Sequence, residues 1–205
     1  VSTASGESET TRMLSLAETA AALALCLVAA GLGGAGRAAS PTLLGDPITM
    51  ETMAEQAELI RLADALDAAV DAKDWAAARS LFTETIEVDF TSLIGGAPGA
   101  MASAALVAGW KANLTAAKTS FHLRGNHRVS FGDEETAVML SHGYAWNRLE
   151  AGALPENGGE ALWEVWGSYE HSFIRTDAGW RISGMKFFAT AQRGNPFVRD
   201  NTVAD

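Results

Sequence analysis

The chain has 205 residues, of which 15 are basic and 25 acidic, so its formal net charge is -10. This acidic balance argues against a nucleic-acid partner, because phosphate binding requires clustered Lys and Arg. The length and the 48% hydrophobic content favour one globular domain with a substantial core. The single cysteine, Cys26, excludes an internal disulfide and a cysteine-based zinc site.

The N-terminal 48 residues differ in composition from the rest and are predicted to precede the domain. An apolar run from Ala20 to Gly36, followed by RAASP, is typical of a secretory signal with a cleavage region near Ala38. The flank before the run lacks the usual basic residues, since Arg12 is its only cation. The run is short and Gly-rich for a stable membrane span. Residues 1–48 are therefore predicted to be either a signal peptide of an exported protein or a disordered leader of a cytoplasmic one.

Helical periodicity begins near residue 49. Apolar residues recur at three- and four-residue steps, which predicts a helix that buries one face, at Leu59, Leu62, Leu66 and Val70. Asp74 is predicted to cap a second, short helix. The alternating segment ETIEVDF predicts a strand, and a third helix is expected around Trp110. The intervening GGAPG lacks the Lys-Ser/Thr of a phosphate loop and is interpreted as a structural loop.

After Thr119 the pattern is that of an antiparallel sheet. Long strands are predicted from Ala137 to Leu149, from Leu162 to Arg175 and from Trp180 to Thr190. Helices followed by strands predict an α+β fold, specifically a cone-shaped barrel in which three N-terminal helices pack in a curved, mixed, mostly antiparallel sheet. Residues 49–194 are assigned to this domain and residues 195–205 to a C-terminal tail. A ligand pocket is expected between the helices and the sheet.

Three segments that occur in this order carry a family resemblance: DAKDWAAARSLFTETIEVDF, FHLRGN and SYEHSFIRTDAGWRISGMKFF. Together they resemble a SnoaL-like domain of the nuclear transport factor 2-like superfamily, nearest to proteins of the scytalone dehydratase and hexachlorocyclohexane dehydrochlorinase type. The resemblance covers roughly residues 50–194. It implies a lyase or isomerase that needs no metal or organic cofactor, a small hydrophobic, cyclic, carbonyl-bearing substrate, and a homo-oligomer, either a trimer or a dimer.

The resemblance also implies a catalytic pair, Asp71 and His122. In dehydratase-like members, the histidine in the position of His122 is the base, and the aspartate that matches Asp71 orients it. An imidazole can take a proton from carbon beside a carbonyl at neutral pH, and a carboxylate on its other nitrogen fixes the tautomer. The structural alternatives are a core histidine bonded to backbone and an exposed acidic helix face, which Asp67 in particular fits.

His122 and His127 are predicted to have different roles. Five positions on an extended strand place them on opposite faces, unless a bulge at Gly125 resets the count. His127 is therefore expected to face solvent or to lie at a hairpin edge. The two histidines are a poor metal pair, and no metal site is predicted.

Four further residues are predicted to contact substrate. Phe90 stands where scytalone dehydratase has a tyrosine, so the hydroxyl that would polarise the substrate is absent. An ungapped match directs Asn147 inward, in place of a second catalytic histidine, whereas a one-residue insertion would direct His142 inward instead. Tyr169 matches a polar binding residue, although an aromatic packing role is the alternative.

Two functions of other classes fit the same fold. One is a protein that carries a hydrophobic ligand without catalysis, in which His122 only hydrogen-bonds the ligand. The other is an assembly module whose sheet mediates oligomerisation. An Asp71–His122 contact inside a cavity favours the enzyme, and a filled interior favours assembly.

Overall fold

The computed structural model describes residues 41–133, 135–154 and 159–201. The helices are α1 (Met53–Asp71), α2 (Trp75–Ser80), α3 (Thr91–Ile94), α4 (Ser103–Asn113) and α5 (Pro196–Asp200). The strands are β1 (Phe82–Asp89), β2 (Gly99–Ala102), β3 (Lys118–Asp133), β4 (Thr136–Leu149), β5 (Leu162–Thr176) and β6 (Gly179–Gly194). Most of the predicted leader, residues 1–40, lies outside the described residues.

The strands form one six-stranded sheet in the order β2-β1-β6-β5-β4-β3. Strands β1 and β6 are parallel, and the other neighbours are antiparallel. The sheet is curved and does not close, so the predicted α+β fold with a mixed, mostly antiparallel sheet is confirmed. The short strand β2 was not predicted, because its sequence GAMA carries no alternation of polar and apolar residues.

The concave face of the sheet is filled mainly by α1. The predicted apolar stripe of this helix is buried, with its leucines at 2% exposure or less. Burying each leucine contributes about 2 kcal/mol to the free energy of folding. Helix α2 begins as predicted, because the Asp74 side chain accepts a hydrogen bond from the Ala77 N–H at 2.9 Å. These helices fix the inner face of the sheet as the buried one.

A bulge in β3 corrects the prediction for His127. The register with β4 shifts between Gly125 and Arg128, and Asn126 has a φ of 56°. The extra residue resets the alternation, so His127 lies on the same inner face as His122 instead of facing solvent. Its side chain is 13% exposed, and its Nε2 atom is 3.6 Å from the Asp64 carboxylate. The expectation of a solvent-facing His127 was therefore wrong.

Both predicted flanking segments contact the domain. Before α1, the Asp46 side chain accepts a hydrogen bond from the Phe131 N–H at 2.8 Å, which ties residues near 46 to the edge strand β3. In the predicted tail, α5 buries Val198 completely. The buried Lys118 ammonium donates to the Asn201 carbonyl oxygen at 2.7 Å. Within the described ranges, no helix is long and apolar enough to cross a membrane.

Candidate active site

Asp71 and His122 are in direct contact on the inner face. Asp71 is the last residue of α1, and its Oδ1 atom lies 2.7 Å from the Nδ1 atom of His122. The Oδ2 atom accepts a hydrogen bond from the backbone N–H of His122 at 2.7 Å, and the Ser120 hydroxyl donates to Oδ1 at 2.8 Å. A carboxylate only accepts hydrogen bonds, so Nδ1 carries the proton and Nε2 keeps its lone pair. The arrangement presents Nε2 as a base.

Asp71 carries its negative charge at the C-terminal end of α1. Burial raises the pKa of this carboxyl, but the hydrogen bonds and the charge interaction with His122 outweigh burial and keep the pKa below its ordinary value. The C-terminal end of a helix carries a partial negative charge, which disfavours a carboxylate and favours a nearby imidazolium. Both side chains are 21% exposed, so a small molecule can reach the pair from solvent.

Asn147 lies beside this pair. It is the β4 partner of Ser120 and shares the inner face with Ala145, which stands opposite His122. Its side chain is half-buried and makes no hydrogen bond to any described residue. The ungapped match therefore gave the correct face of β4.

Tyr169 lies flat across the neighbouring strand. A Cβ atom at Gly143 would sit 2.3 Å from the Tyr169 ring, so the ring fits only because this residue is glycine. The Phe187 ring is 4.5 Å from the Tyr169 ring, centroid to centroid. Burial, as the main cause, raises the pKa of Tyr169 to about 12, so its hydroxyl is a neutral hydrogen-bond donor at physiological pH.

A buried ion pair that the sequence reasoning missed adjoins the site. Arg124 binds Asp67 through two hydrogen bonds, Nε to Oδ2 at 2.6 Å and Nη2 to Oδ1 at 2.5 Å. Asp67 is 7% exposed, so its interpretation as part of an exposed acidic face was wrong, because it has a buried cationic partner on β3. The available signal was alternation, since Arg124 is two residues after His122 on one strand face.

The Arg124 guanidinium also contacts two residues of β5. Its Nη1 atom is 2.7 Å from the Nε2 atom of His171, and its centre lies 3.9 Å from the centroid of the Tyr169 ring. Burial, reinforced by the charge of Arg124, lowers the pKa of His171 well below its ordinary value, so this ring is neutral and accepts the hydrogen bond. Burial alone would lower the pKa of Arg124, but the charge of Asp67 raises it above its usual range.

The two remaining predicted site residues lie elsewhere. His142 is exposed on the outer face of β4, opposite Gly125, so the alternative that directs it inward is wrong. The reason is that β4 pairs without a break in register with β5 and carries no inserted residue before Asn147. Phe90 follows β1 and packs against the core, with β6, β5 and β4 between β1 and the strand of His122.

Two surface depressions lie away from the Asp71–His122 pair. Among the described residues, no group of three or more His, Cys, Asp or Glu side chains is placed to hold a metal ion. A depression of about 610 Å³ lies along α1 between Ile60 and Ala68, and one of about 710 Å³ lies between Glu160 and Asn195. Asp71 and His122 line neither depression.

The chain matches one protein-family model and is similar to several solved structures. The model of the SnoaL-like domain family matches residues 51–186. The Kfla4162 protein from Kribbella flavida is 27% identical with a TM-score of 0.66, and the match covers 71% of this chain and 97% of that one. No curated protein matches the sequence.

Two other solved structures share the fold at lower identity. A proposed scytalone dehydratase from Novosphingobium aromaticivorans DSM 12444 is 16% identical with a TM-score of 0.58, covering 69% of this chain and 88% of that one. The LinA-type3 hexachlorocyclohexane dehydrochlorinase from Novosphingobium barchaimii LL02 is 14% identical with a TM-score of 0.55, covering 71% of this chain and 92% of that one.

Proposed function

This chain belongs to the SnoaL-like domain family, and from that premise we propose that it is a cofactor-independent lyase or isomerase in which His122 is the general base. The observation that carries the proposal is the contact of Asp71 with both the Nδ1 atom and the backbone N–H of His122. This contact leaves Nε2 free to accept a proton. The proposed scytalone dehydratase and the dehydrochlorinase that share the fold support an elimination reaction.

In the proposed first step, Nε2 of His122 takes a proton from the carbon beside a substrate carbonyl. The C–H bonding pair moves towards the carbonyl oxygen and forms an enolate, while Asp71 stabilises the imidazolium. In a lyase, the enolate then expels a leaving group from the next carbon, and His122 returns its proton to that group, so that hydroxide departs as water. In an isomerase, His122 returns the proton to another carbon.

Binding of the substrate is assigned to the remaining inner residues. The neutral Tyr169 hydroxyl can donate a hydrogen bond to a carbonyl or a developing enolate oxygen, and the Asn147 amide can donate or accept one. We propose a small cyclic ketone as the substrate, because its carbonyl oxygen can accept these hydrogen bonds and acidifies the neighbouring C–H bond.

The outer face of the sheet supports self-association. Four exposed apolar side chains from three strands share this face or its margin, Phe121, Leu123, Trp166 and Phe188. The stacked Phe121 and Trp146 rings extend the same surface. An exposed aromatic surface of this kind on a sheet favours burial against a second copy of the chain, and we therefore propose a homo-oligomer, either a dimer or a trimer.

The proton-abstraction step can be tested without the natural substrate. A panel of cyclic β-hydroxy ketones and cyclic enones in D₂O is followed by proton NMR, which detects exchange at the carbon beside the carbonyl in both reaction types. We expect exchange with the native protein and a loss of about 10²- to 10⁴-fold in His122→Ala. The matched control is His142→Ala on the outer face, which should exchange like the native protein.

Three results would contradict the proposal. Exchange that survives in His122→Ala would remove His122 from the chemistry. Saturable binding of panel ketones without exchange, unchanged in Asp71→Asn, would favour the alternative of a non-catalytic carrier of hydrophobic ligands. Absence of both binding and exchange, together with stable oligomers, would favour an assembly module.

A further inference from the structure

Three acidic residues of α1 face three basic residues of β3. The Asp71 carboxylate contacts His122 at 2.7 Å, and the Asp67 carboxylate contacts Arg124 at 2.5 Å. One turn earlier on α1, the Asp64 carboxylate lies 3.6 Å from His127. We call these three contacts the α1–β3 ladder.

Local geometry explains why the ladder has three rungs. Residues 64, 67 and 71 are spaced by three and four, so they occupy one stripe of a helix. Residues 122 and 124 share a strand face, and the bulge at Asn126 brings residue 127 onto that face. The middle rung is thus one helical turn and two strand residues from the Asp71–His122 contact.

The middle rung is the most rigid of the three. Its two parallel hydrogen bonds fix both the distance and the angle between α1 and β3. The Arg124 side chain is 1% exposed, and the Tyr169 ring and His171 confine it from the β5 side. By contrast, the Asp64–His127 rung is long, and the Asp64 side chain is 55% exposed.

We propose that Arg124 is a positioning residue, which clamps Asp67 and thereby holds α1 at the spacing from β3 that brings Asp71 onto His122. Because Arg124 is enclosed, it acts through this spacing and not by touching a ligand. The proposal rests on the proposed function only where it treats the Asp71–His122 pair as catalytic. The geometric claim stands on the ladder alone.

The test uses ¹⁵N-labelled full-length protein and reads the tautomer of His122 from its ring nitrogen shifts. The native protein is expected to hold the proton on Nδ1. Arg124→Lys keeps the positive charge but cannot form the two parallel hydrogen bonds. In this variant we expect the Nδ1–H population of His122 to fall severalfold while the circular dichroism spectrum stays native.

Glu55→Gln is the matched control, because it weakens a different anchor of the same helix. The Glu55 carboxylate binds Arg175 of β5 at 2.7 Å, far along α1 from Asp71. We expect this variant to lower the unfolding temperature and to leave the His122 tautomer unchanged. If Arg124→Lys lowers the unfolding temperature in the same way, with an unchanged His122 tautomer, Arg124 is only structural and the proposal is overturned.

A second variant keeps the proposal testable if Arg124→Lys does not fold. The double replacement Asp67→Leu with Arg124→Met removes the ion pair and fills its volume with apolar atoms. We expect it to fold and to show the same fall in the Nδ1–H population, whereas a native tautomer in the folded double variant would also overturn the proposal. Neither readout requires turnover, so an absence of α-proton exchange in the native protein would reject the catalytic function and leave this test intact.

Discussion

The carboxylate of Asp71 binds His122 at two points, one on the ring and one on the backbone. The ring contact and the backbone contact are both 2.7 Å long. A carboxylate can accept at both points, whereas an amide has one accepting and one donating end. The pair is therefore specific for aspartate, and this specificity leads to a direct test.

Asp71→Asn is expected to disrupt the pair in either orientation of the amide. Its NH₂ group faces either the backbone N–H, which opposes two donors, or the ring, where it can donate to Nδ1 only if the His122 proton moves to Nε2 and the base is lost. We expect a loss of about 1.5–3 kcal/mol in the free energy of unfolding, because charge-assisted hydrogen bonds are lost. The α-proton exchange rate is expected to fall about 10²- to 10⁴-fold.

Asp64→Asn is the control for this variant, since Asp64 lies on the same helix and is largely exposed. Urea denaturation and the exchange assay on both variants separate the two effects. An Asp71→Asn protein as stable and as active as Asp64→Asn would show that the Asp71 contact has no consequence.

Stability is expected to fall as the pH drops below about 6.5, and His171 is the main cause. Burial keeps the pKa of His171 low in the folded state, while the unfolded chain binds a proton near its ordinary value of 6.5. Below that pH the unfolded state holds more protons, so stability decreases by up to about 1.4 kcal/mol per pH unit. The lowered pKa of His127 acts in the same direction.

The pH effect is measured by urea denaturation at several values between about pH 5 and about pH 7. His171→Gln keeps an acceptor for Arg124 but cannot titrate, so its stability should depend less steeply on pH. His142→Gln, on the outer face, should keep the native slope. Equal slopes in all three proteins would contradict the assignment.

Much of the fold was predictable because its signals are local. The stripe from Leu59 to Val70 repeats with the helical period, and the three long C-terminal strands alternate and end at turn residues. The position of Asp71 before KDW and of His122 in FHLRGN, taken with the family resemblance, predicted a pair that the structure brings into contact.

The features that escaped prediction depend on distant partners or on single inserted residues. Asp67 has the local sequence of an exposed helix position, and its burial depends on Arg124, 57 residues further along the chain. Strand alternation does not encode a one-residue bulge, so the face of His127 could not be fixed. The short helix α5 forms only with the packing of Val198 into the core.

Gly143→Ala is expected to displace the Tyr169 ring. The added methyl group would sit 2.3 Å from the ring, well inside contact distance, so the ring or β4 must shift. We expect a loss of about 1–3 kcal/mol in the free energy of unfolding and a changed near-ultraviolet circular dichroism spectrum. Gly109→Ala is the control, because a Cβ atom there meets nothing within 4 Å. If the two variants are equally stable, the close approach at Gly143 does not constrain the ring.

Leu123→Glu is expected to prevent the proposed self-association. Leu123 is 57% exposed on β3 and belongs to the outer apolar surface, and a buried, unpaired carboxylate would oppose contact with a second copy. Light scattering after size-exclusion chromatography should give a multiple of the chain mass for the native protein and the mass of one chain for the variant. Ile94→Glu, which is similarly exposed on α3, should keep the native mass. A native protein that is monomeric at high concentration would contradict self-association. An oligomer that survives Leu123→Glu but dissociates in Ile94→Glu would place the subunit contact away from the outer face of the sheet.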